Sequence, residues 1–209
     1  MINLDQFAQR IQAHQPKELT GDWPEAAVLL SVVASSRPSL VLTRRADHMN
    51  THRGQVAFPG GKRDPDDADL LQTALREAQE EVALPASEVR LLGSLSDLLS
   101  LHGLKVRPYV GLIPDGLALK PCESELDAVF QVPLDWLLDD PRTHTDVIRV
   151  GGKTYYVPSY TYQGFTLWGL SAMMLLELMQ VGFNAPIDWS VRPPGRLVEH
   201  PTRPLPPRP

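Results

Sequence analysis

Cysteine is almost absent from this chain: Cys122 is the only one in 209 residues, which rules out an intramolecular disulfide and is compatible with a reducing compartment. Positive charge is also scarce. The formal net charge is −5 and the pI near 5.7, a poor balance for a general nucleic-acid binder. Long apolar runs are missing too. Runs such as 26–30 and 32–34 around Ser31 are far too short to span a bilayer, and no segment near Met1 joins a basic start to an apolar stretch. These absences lead us to expect a cytoplasmic protein with neither a membrane nor nucleic acid as partner. There is no internal repeat and no Ser-Lys-Leu ending. The acidic run D-P-D-D-A-D lacks the liganding residue and the glycine of an EF-hand.

What is present reads as one globular body with an unlike tail. Leu4, Phe7, Ala8 and Ile11 recur at helical spacing within residues 3–14, and Pro16 ends that helix. Residues 25–34 and 39–45 are aliphatic, β-branched runs separated by Ser35-Ser36-Arg37-Pro38, hence two adjacent strands and a turn. Further on, 89–99 and 105–113 read as a hairpin with Asp97 and His102 near its rim. A strand over 123–132 leads into a helical turn over 133–138. Residues 147–157 form a second hairpin turned at Gly151-Gly152. The apolar run 168–181 is a helix whose Met174, Leu175 and Leu178 belong to the core. We place the domain over 1–183 and a proline-rich tail over 184–209, where the prolines preclude a regular helix or central strand. The ending R-P-L-P-P-R-P also fits a polyproline II ligand.

The chemistry concentrates in residues 58–84, a Pro-Gly-Gly turn feeding an acidic helix. With Leu71 at zero, Ala74, Leu75, Ala78 and Val82 lie within about 60° of it, making one narrow apolar stripe. Glu77 and Glu81 fall at about 240° and 280°, Glu80 at about 180°, and Arg76 at about 140°, within i,i+4 reach of Glu80. Carboxylates crowded in this way repel and call for a compensating cation, for which a hard divalent metal is suited. Glycines just upstream let backbone groups approach an ion or a phosphate closely. The pattern is equally that of a solvated acidic face after an ordinary loop. Upstream, Arg44, Arg45, Arg53, Lys62 and Arg63 gather with His48 and His52 in a chain of negative net charge. That is an excess a polyanionic ligand would use, or else scattered surface charge.

These residues resemble the Nudix box, G-x5-E-x7-R-E-U-x-E-E-x-G-U with U aliphatic, with Gly61 as its first glycine and Arg76-Glu77-Ala78-Gln79-Glu80-Glu81 as its core. Three positions depart from it. Asp67 stands where the motif has Glu, eight residues rather than seven separate it from Arg76, and Ala83 replaces the final glycine. The preceding segment is similar to the signature of the coenzyme A pyrophosphatase branch, L-L-T-x-R-S-x3-R-x3-G-x3-F-P-G-G. Leu42, Thr43, Arg45, Gly54 and Phe58 to Gly61 fall on its positions without a gap, while Ala46 replaces Ser and Asn50 the second Arg. The likeness extends over residues 26–181.

That resemblance implies a Nudix-type α/β/α sandwich with a mixed β-sheet, and metal-dependent hydrolysis of the diphosphate of coenzyme A or a derivative. The products would be adenosine 3′,5′-bisphosphate and 4′-phosphopantetheine. It implies Mg²⁺ or Mn²⁺ held by Glu77, Glu80 and Glu81 with a carbonyl from Gly60 or Gly61. Arg76 would orient the glutamates, and Glu77 or Glu125 would take a proton from water. Substrate contacts are expected from Arg45, His52, Arg53, Gly54, Gly61 and Lys62. Glu125 could equally be a solvated strand-edge carboxylate. Another nucleoside diphosphate derivative, such as ADP-ribose or a nucleotide sugar, is the alternative substrate, and a non-catalytic diphosphate-binding module the other alternative. A homodimer remains open.

Overall fold

A computed structural model of the chain describes residues 2–48 and 54–203. Asn50, His52 and Arg53 and the end of the R-P-L-P-P-R-P segment lie outside the described residues. The chain opens with helix α1 (Leu4–Ala13), whose N-cap Asn3 accepts a hydrogen bond from the Gln6 backbone. Strands β1 (Glu25–Ala34) and β2 (Ser39–Arg45) follow as an antiparallel pair. Their limits coincide with the turn read from Ser35-Ser36-Arg37-Pro38. Two short strands, β3 (Val56–Ala57) and β4 (Gly60–Lys62), pair with β2 and β1 respectively. Helix α2 (Leu70–Val82) comes next.

Strands β5 (Arg90–Ser94) and β6 (Leu98–Leu99) both lie antiparallel to β7 (Lys105–Pro114). β7 in turn runs parallel to β1 from Glu25↔Lys105 to Ala34↔Pro114. Strand β8 (Leu126–Pro133) returns along β2 and ends in helix α3 (Leu134–Leu138). The result is a mixed eight-stranded sheet with the spine β3-β2-β1-β7-β5. A second sheet, ordered β11-β10-β9-β12, is built from β9 (Arg142–Val150), β10 (Lys153–Tyr162), β11 (Phe165–Leu167) and β12 (Leu197–Glu199). Helix α4 (Gly169–Phe183) sits between β11 and β12 in the chain.

Strand periodicity divides the core. Ala27, Leu29 and Val33 of β1 face Leu70, Ala74, Ala78 and Val82 of α2, while Ala26, Leu30 and Val32 face Phe7 and Ile11 of α1 and Met174, Leu175 and Leu178 of α4. Helices therefore cover both faces of the mixed sheet, the α/β/α sandwich expected. No helix among the described residues is long and apolar enough to cross a membrane.

The structure departs from the sequence reading in three places. Asp97 is not at a rim. It is buried, accepts from Arg107 Nε and Nη2 at 2.7 and 2.9 Å and from the Leu19 backbone at 2.9 Å, a bidentate pair that splits the expected first strand of the hairpin into β5 and β6. The buried face of α2 is turned slightly from the predicted stripe, taking in Leu70, Thr73 and Glu81 rather than Leu71. The segment after Phe183 is also more than a loose tail. Ile187 and Trp189 pack on the core, Tyr156 donates its backbone N–H to the Trp189 carbonyl at 2.7 Å, and proline-free β12 lies parallel to β9 as an edge strand. Prolines exclude central strands, and an edge is the position left open.

Candidate active site

The loop between β4 and α2 places an aspartate under helix α2. Asp69 caps α2 by accepting from the Gln72 backbone at 2.8 Å. Two residues earlier, Asp67 is buried and accepts from the Asp64 backbone at 2.9 Å, Thr73 Oγ1 at 2.9 Å, and Arg76 Nε and Nη2 at 3.0 Å each. The Arg76 guanidinium, before the other donors, holds the Asp67 carboxyl well below the usual carboxylate range. Arg76 Nη2 also donates to the Lys62 carbonyl at 3.2 Å, and Nη1 donates to Glu77 Oε1 and Glu80 Oε2, both at 3.0 Å. One arginine thus ties the loop to two of the three glutamates.

The remaining glutamate belongs to a looser arrangement. Glu81 points at the glycine turn, where Gly60 donates its backbone N–H to Oε2 at 3.0 Å. A Cβ at Gly61 would stand 2.4 Å from Glu77 Oε1, so a side chain there would displace the carboxylate. Burial pushes the Glu81 carboxyl up to about 7, opposed by the Gly60 hydrogen bond and reinforced by the charges of Glu77 and Glu125. Burial raises Glu77 as well. Arg45 Nη1 lies 3.7 Å from Glu81 Oε1 and its Nη2 3.8 Å from Glu125 Oε2. Both separations allow ionic attraction and exceed a hydrogen bond. Among the described residues, Arg45 Nε is buried without a hydrogen-bond partner.

The structure therefore brings Arg45, Gly60, Gly61, Arg76, Glu77, Glu80, Glu81 and Glu125 into one connected group. Lys62 joins it through its carbonyl, while its side chain is exposed. Gly54 has φ +64, and a Cβ there would meet Arg44 Nη2 and Asp47 Oδ1 at 3.1 Å each, so its visible role is local packing. His52 and Arg53 lie outside the described residues. Two of the upstream cations do not gather on a ligand site. Arg44 pairs with Asp127 and Asp47, and Arg63 with Glu25. The residue that sequence reasoning missed is Asp67 as the anchor of Arg76. It was visible only as a motif departure, because its role depends on how the loop folds back over α2.

Among the described residues, no three His, Cys, Asp or Glu side chains already stand as a coordination sphere; Arg76 holds Glu77 and Glu80, and Arg45 lies beside Glu81 and Glu125. The donor set nevertheless suits a hard divalent ion. It offers carboxylate oxygens at a glycine turn, with the charges of Glu77 and Glu125 making ionisation of Glu81 harder.

The NUDIX domain model matches residues 23–149, which include β1, the glycine turn, all of α2 and Glu125. The chain belongs to the Nudix family. It is a Nudix hydrolase. A protein of Yersinia enterocolitica named as an uncharacterized Nudix hydrolase, NudL, is 44% identical over 179 residues, 85% of this chain and 92% of that one. Its namesake in Photorhabdus laumondii is 42% identical over 183 residues, covering 86% and 98%. The crystal structure of a MutT/nudix family protein from Enterococcus faecalis aligns with a TM-score of 0.52 at 14% identity, over 86% of this chain and 69% of that one, and so shares the Nudix fold.

Proposed function

We propose that this Nudix hydrolase cleaves the diphosphate of coenzyme A or a derivative, releasing adenosine 3′,5′-bisphosphate and 4′-phosphopantetheine. The observation that carries this reading is Arg45. It belongs to the ungapped signature ending at Gly60-Gly61, and its guanidinium lies against Glu81 and Glu125 with Nε unpartnered. A cation with donors to spare beside the metal-binding carboxylates is suited to a phosphate oxygen.

Glu77, Glu80, Glu81 and a carbonyl of Gly60 or Gly61 would hold Mg²⁺ or Mn²⁺. Such an ion, when bound, lowers the pKa of water and stabilises charge on the leaving phosphate. The chain's own residues supply the rest. Arg76 fixes Glu77 and Glu80 in direction, and the Gly60 amide does so for Glu81. Glu125 has its side chain 48% exposed, so it has room to take a proton from the attacking water, with Glu77 the other candidate. Arg45, with His52, Arg53, Gly54, Gly61 and Lys62, would receive the nucleotide. Ala46 and Asn50, where the signature has Ser and Arg, favour a second reading in which the substrate is ADP-ribose or a nucleotide sugar.

The test is hydrolysis of coenzyme A, ADP-ribose and nucleotide sugars, with Mg²⁺ and then Mn²⁺, compared by kcat/KM. Coenzyme A should lead. A higher value for ADP-ribose or a nucleotide sugar transfers the assignment to the second reading, and no metal-dependent hydrolysis of any of them overturns both.

A further inference from the structure

Behind Asp67 runs a second ionic chain that touches none of the reacting groups. Glu25, at the start of β1, accepts from Lys105 Nζ at 2.7 Å on Oε1 and from Arg63 Nη1 at 2.9 Å on Oε2. The Arg63 backbone N–H donates to the Glu25 carbonyl at 2.9 Å. The same guanidinium then reaches forward, donating from Nη2 to the carbonyls of Asp67 at 3.3 Å and Ala68 at 3.1 Å. Lys105 is 8% exposed, and a lysine so buried needs its carboxylate partner. The base of this chain is therefore fixed in the paired starts of β1 and β7.

The loop it grips is closed by hydrogen bonds from the Asp67 N–H to the Asp64 carbonyl at 3.0 Å, the Asp66 N–H to Asp64 Oδ1 at 3.0 Å and the Ala68 N–H to Gln72 Oε1 at 2.7 Å, but it concentrates negative charge. Asp64, Asp66, Asp67 and Asp69 lie within six residues, and like charges so close repel. The loop must also accommodate the two departures from the Nudix box, an aspartate one methylene shorter than glutamate and one extra residue before Arg76. For Asp67 to reach Arg76 at 3.0 Å through two hydrogen bonds, its backbone has to be held close to the helix. Gln72 takes the Ala68 N–H, and Arg63 grips the carbonyls, that of Asp67 itself and the next one.

We propose that Arg63, anchored by Glu25 and Lys105, is a positioning residue for the metal-binding helix: it sets where Asp67 stands and, through Arg76, where Glu77 and Glu80 point. The proposal rests on the reading of Glu77, Glu80 and Glu81 as metal ligands. A guanidinium is required because the acceptors lie in two directions, carboxylate on one side and two carbonyls on the other. A lysine ammonium is a point donor that cannot span them.

The test titrates Mn²⁺ into the protein and follows the free ion by electron paramagnetic resonance, for wild type, Arg63→Ala, Arg63→Lys, Glu25→Gln and, as a remote control, Arg37→Ala, whose exposed pair with Asp135 is far from α2 in sequence. Thermal melts and the kcat and KM of hydrolysis accompany each titration. Arg63→Ala should weaken Mn²⁺ binding about tenfold, at the lower end of what loss of a supporting hydrogen bond does to metal sites, and lower kcat with KM unchanged. Arg63→Lys should resemble Arg63→Ala, Glu25→Gln should fall between, and the control should match wild type. If Arg63→Ala does not fold, Arg63→Lys and Glu25→Gln carry the same readouts. A lowered Tm with wild-type Mn²⁺ affinity and kcat overturns the positioning role alone. Absence of Mn²⁺ binding by the wild type overturns the ligand reading and the proposal with it.

Discussion

Arg76 and Arg45 serve the same group of carboxylates and are held in unlike ways. Every nitrogen of the Arg76 guanidinium has an acceptor within 3.2 Å, shared among Asp67, Glu77, Glu80 and the Lys62 carbonyl. Arg45 has two carboxylates at 3.7 and 3.8 Å and a buried Nε with none. A fully bonded guanidinium resists re-aiming, because each donor it turns away leaves an acceptor unpaired. One whose side-chain contacts, among the described residues, are ionic can turn towards an arriving anion with little to break. On the proposed function, the difference separates a scaffold charge from one that meets the substrate, although both are arginines beside glutamates.

The comparison can be broken or sharpened by substitution. The largest effect is expected from Glu81→Gln, which keeps an oxygen for the Gly60 amide but removes the charge. The protein should fold, and kcat should drop at least about 100-fold, since a direct ligand matters more than the partners that orient it. Near-normal turnover would remove Glu81 from the site. Next, Asp67→Asn should destabilise the protein by roughly 3 kcal/mol, because Arg76 loses the charge facing it in a buried pair. Arg45→Gln should alter stability by less than about 0.5 kcal/mol, yet lower kcat/KM about tenfold or more. Equal losses of stability in urea titrations would erase the distinction.

The pH dependence of the same pair has a definite sign. The Asp67 carboxyl lies lower in the folded chain than in the unfolded one, so its contribution is complete above the unfolded value of about 3.9 and is lost as pH falls below it. Asp67→Asn should therefore flatten the acid limb of stability against pH. The smallest effect is expected at Ala83, which caps α2 at φ 55. An L side chain there costs roughly 1–2 kcal/mol, partly offset by the greater unfolded-state freedom of glycine. Ala83→Gly should raise stability by about 1 kcal/mol without changing kcat.

Ala83 also shows where sequence reading succeeds. Its departure from the glycine of the Nudix box was plain, and the structure adds the positive φ that makes the departure matter. β1 and β2 were equally legible, because a Ser-Ser-Arg-Pro turn divides two β-branched runs. The hairpin at Gly151-Gly152 was found but is longer, extending to Arg142 and Tyr162. The brief strands β3 and β4 were not legible, since two or three residues beside prolines and glycines carry no periodicity. In the site, the helix angles placed Glu77 and Glu81 beside the apolar stripe, Glu80 on the side away from it, and Arg76 within reach of Glu80. They could not show that Arg44 pairs with Asp127 and Arg63 with Glu25. Those partners, Asp127 and Glu25, are 83 and 38 residues away, and only the sheet brings them together.

The parallel pairing of β12 with β9 bears on how the protein can be handled. A chain cut at residue 183 would lose the strand that covers β9 from Thr145 to Val147, along with the Ile187 and Trp189 side chains packed on the core. A bared strand edge beside an uncovered apolar surface recruits edges from other molecules. Shortened versions for crystallisation or labelling should therefore retain the chain through residue 203, and fusions belong beyond that point.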